Sequence, residues 1–340
     1  MMIDLNVVWF GLVGILLTGY AILDGFDLGT GALHLLTKQD EHRRLFLNAI
    51  GPVWDGNEVW LVTGGGALFA AFPEAYATLF SGFYAPFMLL LFALIFRAAA
   101  IEFRSKQPMA WWRRLWDACF AASSILASLL LGVALGNILW GIPLDSRFEF
   151  TGSAFRLLHP YALLVGITTV ALFTMHGAIF LLLKTEGELQ RLVRGWARNA
   201  WTAFAVCCGL VTVATVLLAP HLTRRLAAVP VLLAIPLVIG AAVAVIPQAI
   251  RRGRDGLAFL ASSATVAGLM ALAGAGIFPS LVLSRPNPQF SLTIYNAASS
   301  PKTLGIMLVI AVIGMPLVLA YTAGIYYVFR GKVKLETTSY

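Results

Sequence analysis

Charged residues are scarce in this chain of 340 residues, where Asp, Glu, Lys and Arg together make up only 12%. Soluble globular proteins carry roughly 25% charged residues, so the composition excludes that class. Hydrophobic residues make up 59% of the chain, and its mean hydropathy is +0.84. They come in runs of about twenty, the length that crosses a bilayer as a helix. The composition therefore predicts an all-α polytopic membrane protein.

Cysteine is scarce as well, with only Cys119, Cys207 and Cys208, each inside an apolar run. No C-x-x-C or C-x-x-C-H motif is present, so the sequence indicates neither a thiolate metal site nor covalently attached haem. We expect these three side chains to be small buried apolar groups.

Long hydrophilic loops are also missing, so we expect a single integral membrane domain over residues 1–340, with no separate soluble module. The first apolar run follows neither a basic segment nor an A-x-A cleavage site, and we interpret it as a retained span. Nine spans are predicted, at about 5–36, 50–72, 75–97, 116–140, 157–184, 199–221, 229–250, 256–278 and 303–329.

The distribution of Lys and Arg predicts the orientation of these spans. With the N-terminus outside, the cytoplasmic segments hold 18 of the 24 Lys and Arg residues. Such a bias marks the cytoplasmic side of membrane proteins. We therefore predict an outside N-terminus and a cytoplasmic C-terminus. The net charge of +8 then reflects cytoplasmic loops and does not indicate a nucleic-acid partner.

Two predicted spans carry carboxylates where lipid would offer them no partner. Asp24 and Asp27 lie in the inner half of the first span, and Asp55 and Glu58 at the inner end of the second. Each pair is spaced three residues apart, which places both members on one helix face. An Asp at the centre of a spanning helix costs roughly 3 kcal/mol. We expect the four carboxylates to converge at similar depth.

Closely spaced carboxylates cannot all stay ionised where the dielectric constant is low, so at least one is expected to hold its proton near neutral pH. Chains of such groups pass protons in many membrane proteins. Asp24, Asp27, Asp55 and Glu58 are therefore candidate proton-transfer residues. The alternative is a static network in which they pair with Arg97 and backbone donors.

A mixed-sign group is expected at the inner surface, formed by Arg97, Glu102, Arg104 and Asp117. We interpret it as solvated or interfacial salt bridges, which contribute little stability.

Histidines give a weak signal for haem. Among the spans, His176 is predicted to be deep, whereas His159 and His221 fall near outer ends. Haem iron needs an axial ligand, and many haems take one from each of two facing helices. His159 and His221 leave haem binding open on depth alone, but hydrogen-bonded packing is the better interpretation of each histidine. No metal site is predicted.

Several stretches together resemble subunit II of the cytochrome bd-type quinol oxidases. The most specific is Trp54–Pro73, which begins Trp-Asp-Gly-Asn-Glu-Val-Trp. The others are Asp24–Gly29, Phe96-Arg97 with Glu102-Phe-Arg104, Lys184-Thr-Glu-Gly, Phe278-Pro-Ser, Ser291–Ser300 and Tyr327–Val333. At Glu58 and His176 the chain is similar to the shorter, cyanide-insensitive-type members.

This resemblance implies a nine-span, haem-free subunit of a bacterial cytoplasmic (inner) membrane complex. Its partner would be a larger subunit I that carries haems b and d and oxidises quinol, with oxygen reduced to water. Subunit II would support assembly and line a proton route from the cytoplasm, with Asp55 the residue tied to that route. A structural quinone within this subunit and small single-span subunits beside it are further expectations, although no motif locates them.

Two other classes compete with this interpretation. A proton-coupled secondary transporter also uses intramembrane carboxylates, but the chain shows no paired halves with matching interrupted helices. A free-standing cytochrome b would need a histidine pair at mid-depth, and the sequence does not supply one.

Overall fold

A computed structural model describes residues 4–285 and 287–335, apart from the side chain of Arg225. Helices dominate these residues. In chain order they are α1 (Leu5–Leu33), α2 (Asp40–Ile50), α3 (Trp54–Ala71), α4 (Pro73–Gly82), α5 (Tyr84–Phe103), α6 (Ala110–Trp140), α7 (Pro160–Lys184), α8 (Gly187–Leu218), α9 (Pro220–Ala228), α10 (Ala234–Arg251), α11 (Asp255–Ile277) and α12 (Pro301–Val328).

Eight helical segments in the described part of the chain are long and apolar enough to cross a membrane. They contain α1, α5, α6, α7, α8, α10, α11 and α12. The multi-pass helical architecture is therefore confirmed. The predicted span 50–72 corresponds to α3, which has 18 residues and is not among the eight. Its first turns hold Asp55, Asn57 and Glu58, which reduce its apolar character.

The core forms where α1 and α7 cross. Gly29 of α1 and Gly177 of α7 bring the two backbones into contact, because a methyl group on either glycine would overlap the other helix. Gly25 faces the ring of Phe173 at the same crossing. The predicted small face of Gly25-x-x-x-Gly29 is thus a packing face. Helix α1 also packs against α3, α6 and α11, so it lies at the centre of the molecule.

A second apolar cluster closes the end of the molecule where α1 begins. It includes Trp9, Phe72, Ile142 and Val282, together with residues of a short antiparallel hairpin. The hairpin pairs β1 (Ser280–Val282) with β2 (Leu292–Thr293). This strand pair lies in a connecting segment and was not predicted, because the sequence there has only two or three extended residues on each side.

The predicted span 75–97 is wrong as a single helix. The structure divides this region into α4 and α5 at Phe83 and continues α5 to Phe103. Pro86, in the first turn of α5, has no N–H to donate to the preceding turn, which explains the break. Helix α8 likewise begins at Gly187 and not near 199, because a helix can continue past the membrane when its charged residues face water.

Candidate functional site

Three acidic side chains and one arginine meet between α1, α3 and α5. Arg97 Nη2 lies 2.5 Å from Asp24 Oδ1 and 2.8 Å from Glu58 Oε1. Asp24, Asp27 and Arg97 are fully buried, whereas the Glu58 side chain is 24% exposed. Asp24 and Asp27 therefore face the interior of this chain, and not a lipid-facing surface that a partner would have to cover. A buried pair with this geometry is strongly coupled, since removing one partner leaves an uncompensated charge.

Asn57 connects Asp27 to α12. Its Nδ2 donates to Asp27 Oδ2 at 2.7 Å and to the Leu23 carbonyl oxygen at 3.2 Å. Its Oδ1 accepts from the hydroxyl of Tyr326 at 2.9 Å. The tyrosine donor thus fixes the orientation of the amide, which turns its NH₂ group towards Asp27. Tyr326 was not predicted, because one hydroxyl in an apolar helix gives no sequence signal.

Several polar atoms of this cluster have no hydrogen-bond partner among the described residues. They are Asp24 Oδ2, Asp27 Oδ1 and the Nε and Nη1 atoms of Arg97. Buried polar atoms are rarely left unpaired, and water molecules satisfy many of them. The cluster therefore has the capacity to bind water between its carboxylates.

Asp55 lies apart from this cluster, at the surface. Its side chain is exposed and lines a cleft of about 630 Å³ between α3, α12 and the middle of α1. Asp55 and Glu58 were expected on one face, but Glu58 turns inwards to Arg97 while Asp55 faces the cleft. Three residues along a helix turn the side chain by about 60°, which is enough to separate them at a helix edge. The structure thus brings together Asp24, Asp27 and Glu58, with Asp55 outside.

A second charged cluster surrounds Asp117 at the end of α1. The Asp117 carboxylate accepts from Arg104 Nε at 2.5 Å, from Arg43 Nη1 at 2.8 Å, and lies 2.6 Å from His34 Nε2. Arg104 also contacts Asp40 at 2.7 Å. This group joins the ends of α1 and α5 to the starts of α2 and α6.

The expected inner-surface group of Arg97, Glu102, Arg104 and Asp117 therefore needs correction. Arg97 belongs with Asp24 and Glu58, while Arg104 pairs with Asp117. Arg97, Arg104 and Asp117 are buried, so the solvated interpretation is wrong for them, and Glu102 is half-buried. The reason is that Arg97 in α5 and Arg104 directly after its end lie about two helical turns apart on a side covered by α1 and α6.

Histidines mostly serve packing in this structure. His176 stacks on Phe259, and its Nδ1 lies 2.7 Å from the Ser262 hydroxyl while Nε2 lies 3.0 Å from the Ile22 carbonyl oxygen. His34, which sequence reasoning missed, is fully buried. Its position seven residues after Asp27, on the same face of α1, is the signal that was available.

His159 and His221 also have protein partners. His159 caps α7 by accepting from the Ala162 N–H, and His221 Nε2 lies 2.9 Å from the Leu139 carbonyl oxygen. Across the described ranges, no group of three or more His, Cys, Asp or Glu side chains is arranged to hold a metal ion.

Comparisons with known proteins give the family. The family model described as "Cytochrome bd terminal oxidase subunit II" matches residues 5–329. "Cytochrome bd-I ubiquinol oxidase subunit 2" of Escherichia coli (strain K12) is 37% identical, with 98% of this chain and 97% of that protein covered. "Cytochrome bd ubiquinol oxidase subunit 2" of Bacillus subtilis (strain 168) is 34% identical, with 98% of each chain covered.

The fold agrees with a solved structure. A chain in "The structure of bd oxidase from Geobacillus thermodenitrificans" superposes with a TM-score of 0.81, covering 96% of this chain and 99% of that one. Its sequence identity is 17%, so this likeness supports the fold alone. The family model and the two relatives are decisive by themselves: this chain belongs to the subunit II family of the cytochrome bd terminal oxidases.

Proposed function

We propose that this chain is the haem-free subunit II of a bd-type quinol oxidase that reduces oxygen to water. The observation that carries the proposal is family membership over almost the whole chain, together with relatives named as ubiquinol oxidase subunits. Haems b and d and quinol oxidation belong to the partner subunit I in this proposal. The complex resides in the bacterial cytoplasmic membrane. A transporter and a free-standing cytochrome b fit the family membership less well.

The contribution of this chain to turnover is a proton-uptake route through its carboxylates. Asp55 is the entry, because it is exposed in the cleft and adjoins Glu58 in the helix. Glu58 and Asp24 share Arg97 Nη2, so their oxygens lie close enough for one water molecule to bridge them. Asp27 follows one turn along α1. Arg97 cannot release its own proton, so it holds the carboxylates in place and does not relay.

Nine spans with an outside N-terminus and a cytoplasmic C-terminus complete the proposal. Helix α3 serves as the ninth span, since 18 residues of helix extend about 27 Å, close to the thickness of the hydrocarbon layer. The Lys and Arg bias then puts Asp55 at the cytoplasmic end of α3. That placement suits the uptake of protons from the cytoplasm.

Subunit I is proposed to cover the side of α3 and α12 that holds the cleft. Asp55 is exposed in this cleft at the start of α3, and polar groups of a protein partner could hydrogen-bond to its carboxylate. Helix α12 supports this position because only Leu304 among its 28 residues is buried in the isolated chain. Support of subunit I assembly would follow from such an interface. A structural quinone in this chain and small single-span subunits remain predictions.

Replacing Asp55 in the assembled oxidase tests the proton route. Asp55→Asn keeps the size and most hydrogen bonds of the side chain but cannot release a proton. We expect quinol oxidase activity to fall by about tenfold or more, with the haem content unchanged. Asp55→Glu should retain part of the activity, because it keeps a titratable group displaced by one methylene. Oxygen uptake, measured beside the reduced-minus-oxidised spectrum, reports both quantities.

Glu74→Gln is the matched control, since Glu74 is an exposed carboxylate at the start of α4, beyond the other end of α3. It should leave turnover unchanged. Near-normal turnover in a fully haem-loaded Asp55→Asn complex would remove Asp55 from the route. If Asp55 had only a structural role, Asp55→Glu would lower quinol oxidase activity at least as much as Asp55→Asn.

A further inference from the structure

A pocket of about 330 Å³ lies at the end of α12, against the ends of α2 and α7. Four of its lining residues are basic, namely Lys184, Arg330, Lys332 and Lys334. No carboxylate lines it in the part of the chain that the structure describes. The proposed proton route does not use this pocket. The positive charge of its lining favours an anionic ligand.

Specific hydrogen bonds hold two of the four basic residues in this pocket. Lys184 Nζ donates to the Phe329 carbonyl oxygen at 2.6 Å, and Lys332 Nζ donates to the Leu182 carbonyl oxygen at 2.8 Å. The Val333 N–H donates to the Lys184 carbonyl oxygen at 2.8 Å. The chain after α12 is therefore folded back onto the end of α7. Each ammonium group has three N–H donors, so it keeps further donors for a ligand.

The charge on this pocket is only partly offset by its surroundings. Burial lowers the pKa of the Lys332 ammonium, Asp255 and Glu186 act to raise it, and Arg194 acts to lower it. Asp255 is itself bonded to Arg194 at 2.8 Å. An added anion would therefore favour the charged form of Lys332.

The pocket adjoins the cleft beside α3. Pro52, Val53 and Tyr326 line both spaces. Asp55 also lines the cleft, but the rest of its lining is largely aliphatic and aromatic and includes Leu16, Trp60, Met315, Leu317 and Val318. A cationic pocket joined to an apolar trough matches a molecule with an anionic head and a hydrocarbon tail.

We propose that this chain binds an anionic phospholipid, with its phosphate in the basic pocket and one acyl chain along the cleft. Basic pockets near the ends of membrane helices bind lipid head groups through this chemistry. Free inorganic phosphate would use the pocket alone and leave the trough without a role. The head-group site uses residues at the end of α12 and not Asp24, Asp27 or Glu58, although the acyl chain would share the cleft with Asp55.

The test uses the purified oxidase complex after lipid removal, titrated with phosphatidylglycerol, with phosphatidylcholine of the same acyl chains, and with inorganic phosphate. Native mass spectrometry counts the bound molecules. Arg330→Gln combined with Lys334→Gln removes two charges while leaving the Lys184 and Lys332 hydrogen bonds. Each basic residue near an anionic membrane surface strengthens binding by about fivefold, so the double variant should bind phosphatidylglycerol roughly thirtyfold more weakly.

Two further variants complete the experiment. Lys302→Gln removes a charge at the opposite end of α12 and should leave binding unchanged. Val318→Trp fills the trough and should weaken phosphatidylglycerol binding with every pocket charge kept. The haem spectrum verifies assembly, and Lys334→Gln alone provides a milder charge variant if the double variant does not assemble.

Preferential binding of phosphatidylglycerol, sensitive to both the pocket and the trough variants, would support the proposal. Equal binding of phosphatidylcholine would overturn it, since the pocket charge would then be irrelevant. Inorganic phosphate binding as tightly as the lipid would also overturn it, in favour of a simple anion site. An unchanged affinity for phosphatidylglycerol in the charge variants would also overturn the proposal.

Discussion

Asp117 and Asp40 show how the environment of a carboxylate sets its energetic role. Both pair with Arg104, but Asp117 is almost fully buried and Asp40 is 47% exposed. Water screens the exposed pair, so its net contribution is at most about 1 kcal/mol. The buried carboxylate instead neutralises Arg43 and Arg104 where no water can replace it.

We therefore expect opposite results from two matched substitutions. Asp117→Asn should destabilise the chain by about 3 kcal/mol or more, because it leaves the buried Arg104 with only the exposed Asp40 as a carboxylate partner. Asp40→Asn should change stability by less than about 1 kcal/mol. The thermal midpoint of the complex in one detergent compares them. Equal thermal midpoints for the two variants would show that the Asp117 cluster stabilises the fold no more than the exposed pair of Asp40 does.

Helical spacing predicted some of these residues and could not predict others. Asp24 and Asp27 were expected on one face of α1, and both are buried in the interior of the chain. The inward turn of Glu58 and the outward turn of Asp55 depend on how α3 lies against α1, which spacing alone does not determine. The partners of Arg97 and Asp117 come from helices distant in sequence, so a single sequence offered no way to assign them.

At the scale of helices, the crossing of α1 and α7 depends on glycine. A Cβ atom at Gly29 would overlap the Phe173 carbonyl oxygen of α7. Gly29→Ala should therefore destabilise the chain by about 1–3 kcal/mol, the usual cost of an overpacked interior. Gly11→Ala lies in the same helix with no atom within 4 Å of the added methyl. It should be neutral or slightly stabilising, because Ala is the better helix former by about 1 kcal/mol.

Thermal midpoints and the yield of assembled complex distinguish these two variants. A Gly29→Ala protein as stable as Gly11→Ala would mean that α1 and α7 can separate at little cost. The same crossing positions Asp24 and Asp27, which lie within two turns of Gly29. A shift of α1 should thus also disturb the contact between Asp24 and Arg97.

Hydrophobic runs located the helices well but located their ends poorly. Each of the nine predicted spans corresponds to a helical region, although one is divided into α4 and α5 and another begins twelve residues early. A run of apolar residues reports the part of a helix in lipid, whereas the helix ends where its backbone hydrogen bonds end. The hairpin near residues 280–293 had no such run to reveal it.

At the scale of the whole molecule, the packing of the helices supports the proposal that this chain supplies no haem ligand. The centre of this chain, where a haem would have to lie between helices, is filled by α1 and α7 in direct contact and by stacked aromatic rings such as Phe26 and Phe180. His176 lies in this region, and both of its ring nitrogens already have protein partners. An axial ligand must offer a free ring nitrogen to the iron.

We therefore expect the purified complex to show haem absorption bands and this chain, purified alone, to show none. His176→Ala in the complex should keep every band and the full haem content per complex, with at most a lower thermal midpoint from the lost contacts to Ser262 and Ile22. His221→Ala, at the opposite side of the structure beside Leu139, is the control for the loss of a histidine contact at the periphery. Absorption spectra and haem extraction measure both outcomes. Loss of one haem band in a His176→Ala complex that still contained both subunits would show that this chain supplies an axial ligand. The proposal that subunit I holds all the haems would then be wrong.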